Sequence, residues 1–231
     1  MKRFTAGLIS GAAICVFLGT SASGAGQQRC FGKVPTIVRG DGNNQIVGTN
    51  GRDVIIAGRG KDSIRSRKGK DFVCAGPGDD NIHAAEGIGY MKGGPGDDWL
   101  DGRLGLGNVS IGDRGDDLIQ AEGKIDGGPG NDEIQSFGYR RPQQSPFRDR
   151  TQAGGGRDKV NGGSSGELLL GGPKADRIRG DGGNDRLRGK SGNDRLFGQT
   201  GSDDLYGGAG NDLCRQGYGT GFRVNCERSA R

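Results

Sequence analysis

From Ala153 to Arg215 an apolar residue returns at every ninth position: Val160, Leu169, Ile178, Leu187, Leu196, Leu205 and Cys214. Each is the eighth residue of a unit whose fourth residue is mostly Gly and whose sixth is mostly Asp. The same frame runs, more worn, from Arg39 to Gln135, where Ile46, Ile55, Ile64, Val73, Ile82, Met91, Leu100, Val109, Ile119 and Ile134 take the apolar slot. A single apolar residue between two polar ones predicts a strand of about three residues. The Gly-rich hexapeptide ahead of it predicts a tight turn, because glycine reaches backbone conformations closed to other residues. Neither block carries a helical period. A unit this thin buries nothing by itself, so its copies must stack into a solenoid.

The frame has three irregularities. One additional residue, Ile111, precedes Gly112, and residues 121–126 form a remnant of six. Residues 136–152 break the period with two prolines and a cluster of Arg140, Arg141, Arg148 and Arg150, and this stretch is expected to leave the stack as a surface loop. The organisation expected is therefore an N-terminal cap over 26–38, a first repeat block over 39–135, the loop over 136–152, a second block over 153–215 and a C-terminal cap over 216–231. Composition agrees: 51 of the 231 residues are Gly, 30% are hydrophobic and 6% aromatic, too little apolar bulk for a conventional core.

The unit resembles the hemolysin-type, repeats-in-toxin (RTX) calcium-binding repeat G-G-x-G-x-D-x-U-x. The resemblance implies an all-β fold, a parallel β-roll (a right-handed β-helix-like solenoid) with two nonapeptides per coil. Turns eighteen residues apart then share an edge, at about the 4.8 Å strand spacing, and about eight coils make a rod about 40 Å long. The worn block fits an eighteen-residue step. Position six reads Asp53, Asp62, Asp71, Asp80, Gly89, Asp98, Gly107, Asp117 and Asp132, so losses fall on alternate repeats only. One edge keeps Asp62, Asp80, Asp98, Asp117 and Asp132, and the other only Asp53 and Asp71. In the second block Asp158, Asp176, Asp194 and Asp212 share an edge, while Asp185 and Asp203 share the other with Glu167.

Two carboxylates about 4.8 Å apart repel by roughly 3 to 4 kcal/mol at an effective dielectric near 20. A divalent ion between them reverses the sign. Carboxylates with turn carbonyls make an all-oxygen, adaptable ligand set that suits Ca²⁺ better than Zn²⁺ or Mg²⁺. Adjacent Asp pairs on one edge give about nine candidate calcium sites, with Asp98–Asp117 and Asp117–Asp132 disturbed by the irregular spacing. Lys174 in a Gly slot and Asn44 in an Asp slot weaken their turns. One buried aliphatic residue per nine ordered residues falls short of the conformational entropy lost on folding. Calcium is thus expected to drive folding of an otherwise unfolded chain, with affinities of about 10⁻⁴ to 10⁻³ M.

Residues 1–25 read as a secretory signal peptide: Lys2 and Arg3, an apolar stretch from Ala6 to Gly19, then Ser23-Gly24-Ala25 as a cleavage site. Export leaves four cysteines in an oxidising compartment. Because the ends of a rod are far apart, Cys30 with Cys74 and Cys214 with Cys226 are the expected pairs among the three pairings. No membrane span is expected, and the chain is expected to be a secreted monomer.

The net charge is +5 despite the aspartates. Lys159, Arg177 and Arg195 stand eighteen residues apart, which the roll would align as a cationic stripe facing an anionic polymer or surface, such as an anionic polysaccharide. Nucleic acid is not the expected polymer for an exported chain with few outward aromatics. Phe72 and Tyr90 share a face at the same step. Catalytic signals are poor: Gly162–Gly166 matches G-x-S-x-G only inside a repeat, and His83 is the single histidine. Three readings follow: a structural or adhesive extracellular module, a calcium-dependent carbohydrate or anionic-polymer binding module, and a hydrolytic enzyme, in that order.

Overall fold

The computed structural model describes residues 28–84, 87, 89–103, 108–138 and 149–227. The signal peptide expected over 1–25, and Arg140, Arg141 and Arg148 of the period-breaking segment, lie outside the described residues.

Among the described residues the chain forms twenty-one strands and no helix. Successive strands alternate between two parallel sheets. The first sheet has eleven strands, from Ile37–Val38 to Arg223–Val224, and the second has ten, from Gln45–Val47 to Leu213–Tyr218. Each strand pairs with the one two places further on, at eighteen residues where the period is intact: Ile55 opposes Val73 and Ile178 opposes Leu196. One coil is one strand of each sheet, which is the β-roll.

The roll has about ten coils, not eight, because residues outside the regular frame also form strands. Ile37–Val38 comes from the expected cap, Lys124–Pro129 from the six-residue remnant and Arg150–Gly155 from the segment that breaks the period. The strands also reach further into 136–152 than the period suggests. Glu133–Ser136 belongs to the second sheet, and Arg150, Thr151 and Gln152 pair with Leu168, Leu169 and Leu170 in the first.

The eighth residue of each unit but one faces inward. Ile46, Ile64, Ile82, Leu100, Ile119, Ile134, Val160, Ile178, Leu196 and Cys214 line the second sheet, all at 1% exposure or less. Ile55, Val73, Met91, Leu169, Leu187 and Leu205 line the first, and the two rows make one continuous core. Val109 departs from its expected place. The register opposes Met91 to Ser110 and Ser110 to Ile125, so Ser110 is buried and Val109 turns outward. The additional residue of this unit therefore sits upstream of the strand and not at Ile111. Asn108 fixes that register: its Oδ1 accepts the Gly89 N–H at 2.7 Å and its Nδ2 donates to the Gly102 carbonyl at 2.7 Å.

Disulfides join Cys30 to Cys74 and Cys214 to Cys226, one near each end of the rod. At the first end Phe72 and Tyr90 stack with ring centroids 4.8 Å apart, Phe31 tilts against both, and the Arg52 guanidinium lies 5.2 Å from the Phe72 ring. This cluster covers the outer side of the first sheet next to the Cys30–Cys74 bridge.

Candidate metal centre

The turns that lead from the first sheet to the second stack on one edge, and those that lead back stack on the other. The first of these, the long edge, carries Asp62, Asp80, Asp98, Asp117, Asp132, Asp158, Asp176, Asp194 and Asp212, one per coil, each exposed by 2% or less. The backbone N–H of each donates to Oδ1 of the next at 2.7 to 2.9 Å. Both spacings that disturb the period, Asp98 to Asp117 and Asp117 to Asp132, keep this bond at 2.9 Å. So does Asp132 to Asp158, which spans the excursion between the two blocks. The two aspartate series are one row.

The second carboxylate oxygen has no comparable use. Oδ2 of Asp62, Asp80, Asp98, Asp117, Asp132, Asp158, Asp194 and Asp212 is buried and without a hydrogen-bond partner. Asp176 differs, since its Oδ2 accepts the Gly172 N–H at 2.7 Å. Burial, reinforced by neighbouring carboxylates, pushes the Asp98 carboxyl up to about 8. It pushes Asp80, Asp117, Asp132 and Asp176 to about 7, and Asp194 to about 6, against the lowering effect of the ladder N–H groups. A row of this kind resists ionisation until a positive charge enters it.

Turn carbonyls complete the surroundings. The N–H groups of Gly58 and Gly60 donate to Ala75 and Pro77 of the next turn, at 3.0 and 2.9 Å. The carbonyls of Gly58 and Gly60 instead press on the next turn so closely that a Cβ at Gly76 or Gly78, both with positive φ, would collide with them. A Cβ at Gly93 would overlap Oδ2 of Asp98 in the same turn. The glycines thus make room for a column of carbonyls and a column of carboxylates side by side.

The first turn identifies the spot on which these columns converge. Asn44 Nδ2 donates to the carbonyls of Gly40 and Gly42 at 2.9 and 2.6 Å and to Oδ1 of Asp62 at 3.1 Å. From Asp62 onward the side chain in that slot has no N–H to offer, and the oxygens around it call for a cation. The further protein oxygens at that spot are turn carbonyls, as the Asn44 contacts show. This all-oxygen donor set fits Ca²⁺.

The other, short edge is built differently. Asp53 and Asp71 begin a ladder at 2.9 Å, but Thr49 satisfies Oδ2 of Asp53 through both its N–H and its hydroxyl, at 2.6 and 3.1 Å. Burial raises the Asp71 carboxyl, while bonds from the Asp53 backbone and the Ser66 hydroxyl oppose the rise. Gly89 follows with no side chain, then Asn108. Glu167 is buried, with its Oε1 bound by the Ser136 hydroxyl at 3.1 Å and its Oε2 by the Gly163 N–H at 2.8 Å, and burial pushes it up to about 7. Asp185 and Asp203 return to the long-edge arrangement. The N–H of Glu167 donates to Asp185 and that of Asp185 to Asp203, and both Oδ2 atoms are buried without a partner.

Two residues of this edge escape the nonapeptide frame. Asn108, and not Gly107, holds the sixth slot before its strand. Asp149 stands directly ahead of Arg150–Gly155, one coil before Glu167, and the Leu168 N–H donates to its carbonyl at 3.1 Å. Asp149-Arg150-Thr151-Gln152 follows D-x-U-x with a buried Thr as U, which is the signal that could have located it.

The family described as RTX calcium-binding nonapeptide repeat matches in four copies, over residues 39–73, 75–109, 161–196 and 179–214, more than half of the chain. Comparison with curated proteins and with solved structures gives no match. With its roll, its aspartate row and these four copies, the chain belongs to the RTX calcium-binding nonapeptide repeat family.

Proposed function

We propose that this calcium-binding β-roll is secreted, folds on calcium and serves outside the cell as a structural or adhesive module. The observation that carries the reading is the file of buried Oδ2 atoms without a protein partner along the long edge. Nine cation positions fit it: eight between adjacent aspartates of the long edge, Asp132–Asp158 included, and one between Asp185 and Asp203. The period alone also gives nine, but with Asp53–Asp71 in place of Asp132–Asp158. The two disulfides fit an oxidising compartment. Calcium titration followed by circular dichroism tests the reading: β signal should appear on adding calcium and vanish with chelator, and a spectrum indifferent to both would refute it.

A second reading, binding of an anionic polysaccharide, is favoured by the outer face of the second sheet. Lys159, Arg177 and Arg195 oppose one another on adjacent strands, as do Arg179, Phe197 and Arg215. Lys159 pairs with Glu133 and Arg177 lies 5.6 Å from the Phe197 ring. Among the described residues no carboxylate pairs with Arg177, Arg195 or Arg215. Retention on a polyanionic matrix in calcium should fall when Lys159, Arg177 and Arg195 are changed to Gln, and unchanged retention removes this reading. An enzyme has the least support. Ser164 lies in a turn between Lys159–Asn161 and Leu168–Pro173 with no helix after it, and His83 Nδ1 contacts Asp101 at 3.1 Å.

A further inference from the structure

In its sixth slot the first turn of the long edge differs from the nine that follow by one functional group. Asn44 places a carboxamide where every later turn places a carboxylate. Its Nδ2 meets the carbonyls of Gly40 and Gly42 and Oδ1 of Asp62, and its backbone N–H donates to the same Oδ1 at 2.7 Å. Three oxygens from two consecutive turns therefore converge on one NH₂. The reverse orientation of the amide would aim an oxygen at two carbonyls, so the bonds themselves fix which atom points inward.

One coil further on, the corresponding oxygens are the carbonyls of Gly58 and Gly60 and the carboxylate of Asp80. There Asp62 adds only another oxygen, and its Oδ2 is buried and without a partner. A carboxamide supplies two donors and a partial positive charge at the place where a carboxylate needs a metal ion.

We propose that the Asn44 carboxamide is a plug. It closes the first cation position of the long edge, starts the row without metal and leaves a latent divalent-cation site beside Gly40, Gly42 and Asp62 that an aspartate at position 44 would open. The inference rests on the calcium reading of the long edge. It explains how the row can begin: among the described residues the first turn has no preceding coil to share an ion with, and an internal donor satisfies its carbonyls at any calcium concentration. The Cys30–Cys74 bridge ties the same end of the rod, so both devices hold the first coils independently of calcium.

Native mass spectrometry at saturating calcium tests this on the wild type, Asn44→Asp and Asp62→Asn, with circular dichroism to establish that each is folded. Asn44→Asp should bind one ion more than the wild type. Asp62→Asn should bind one ion fewer and stay folded, because its new carboxamide plugs the next position, between Gly58, Gly60 and Asp80. A folded Asn44→Asp with the wild-type count overturns the plug, and so does an Asp62→Asn that loses no ion or more than one. If Asn44→Asp fails to fold, the Asp62→Asn count decides. A wild type that takes up no calcium defeats the reading of the whole edge, whereas a loaded wild type with unresponsive variants defeats the plug alone.

Discussion

The long and short edges are built from the same nonapeptide, yet they solve the same electrostatic problem in different ways. On the long edge nine aspartates follow one another from Asp62 to Asp212, and eight of them keep a buried oxygen with no protein donor. Through the first half of the short edge the carboxylates are either replaced, at Gly89 and Asn108, or met by Thr49 and Ser66. Glu167 is held by Ser136 and Gly163. The difference teaches that the motif does not by itself demand an ion. The demand arises where no hydroxyl, amide or free N–H faces the second carboxylate oxygen, because a buried charge without a partner is costly.

Substitution of one aspartate in each row breaks the comparison most directly. Asp98→Ala removes a carboxylate shared by two neighbouring positions. It should cost two ions and raise the calcium midpoint of folding by about tenfold or more, equivalent to at least about 1.4 kcal/mol. Asp53→Ala, on the short edge, should shift the same midpoint by less than about threefold, since protein donors already meet that carboxylate. Equal shifts would mean that the two edges use calcium alike.

Acid gives a second, somewhat smaller separation. Carboxyls that burial raises to about 7 or 8, led by Asp98 and Asp185, favour the folded chain only while they are protonated. Their contribution without metal is fully present below the ordinary carboxyl value of 3.8 and is lost as pH rises through 7 to 8. The metal-free chain should therefore gain β signal as pH falls from 8 toward 4. Calcium requires the ionised form, so its apparent affinity should weaken as pH falls below about 7. A metal-free chain equally unstructured at pH 4 and 8 contradicts the burial of the row.

Glycine replacement gives the finest test. Gly93→Ala places a methyl against Oδ2 of Asp98 and should destabilise the calcium-loaded roll by about 1 to 3 kcal/mol. Gly51→Ala, on the short edge, meets only the Thr49 hydroxyl at 3.6 Å and should stay within about 0.5 kcal/mol. Denaturant unfolding in calcium compares the two.

The inward row and most of the long edge were legible in the sequence because both depend on one residue type at one phase, and the Ile46 to Cys214 series keeps that phase through most units. Ser110 and Thr151 were not, since each is polar and sits where an inserted residue or the excursion has destroyed the phase. Asp149 went unseen with Thr151. The join between Asp132 and Asp158 spans 26 residues, and that spacing does not by itself encode a shared register. Asn44 reads as a defect in a linear motif. Its use is visible only when the carbonyls of Gly40 and Gly42 and the carboxylate of Asp62 are placed around it in space.

On the proposed reading the long edge is one cation row from Asp62 to Asp212, continuous across the join between Asp132 and Asp158. Amide hydrogen exchange across a calcium titration tests it. The N–H groups of Asp80, Asp132, Asp158 and Asp194, all of them ladder donors, should gain protection together in one transition. Protection that arrives in two steps divided between Asp132 and Asp158, or that is the same with and without calcium, would contradict it.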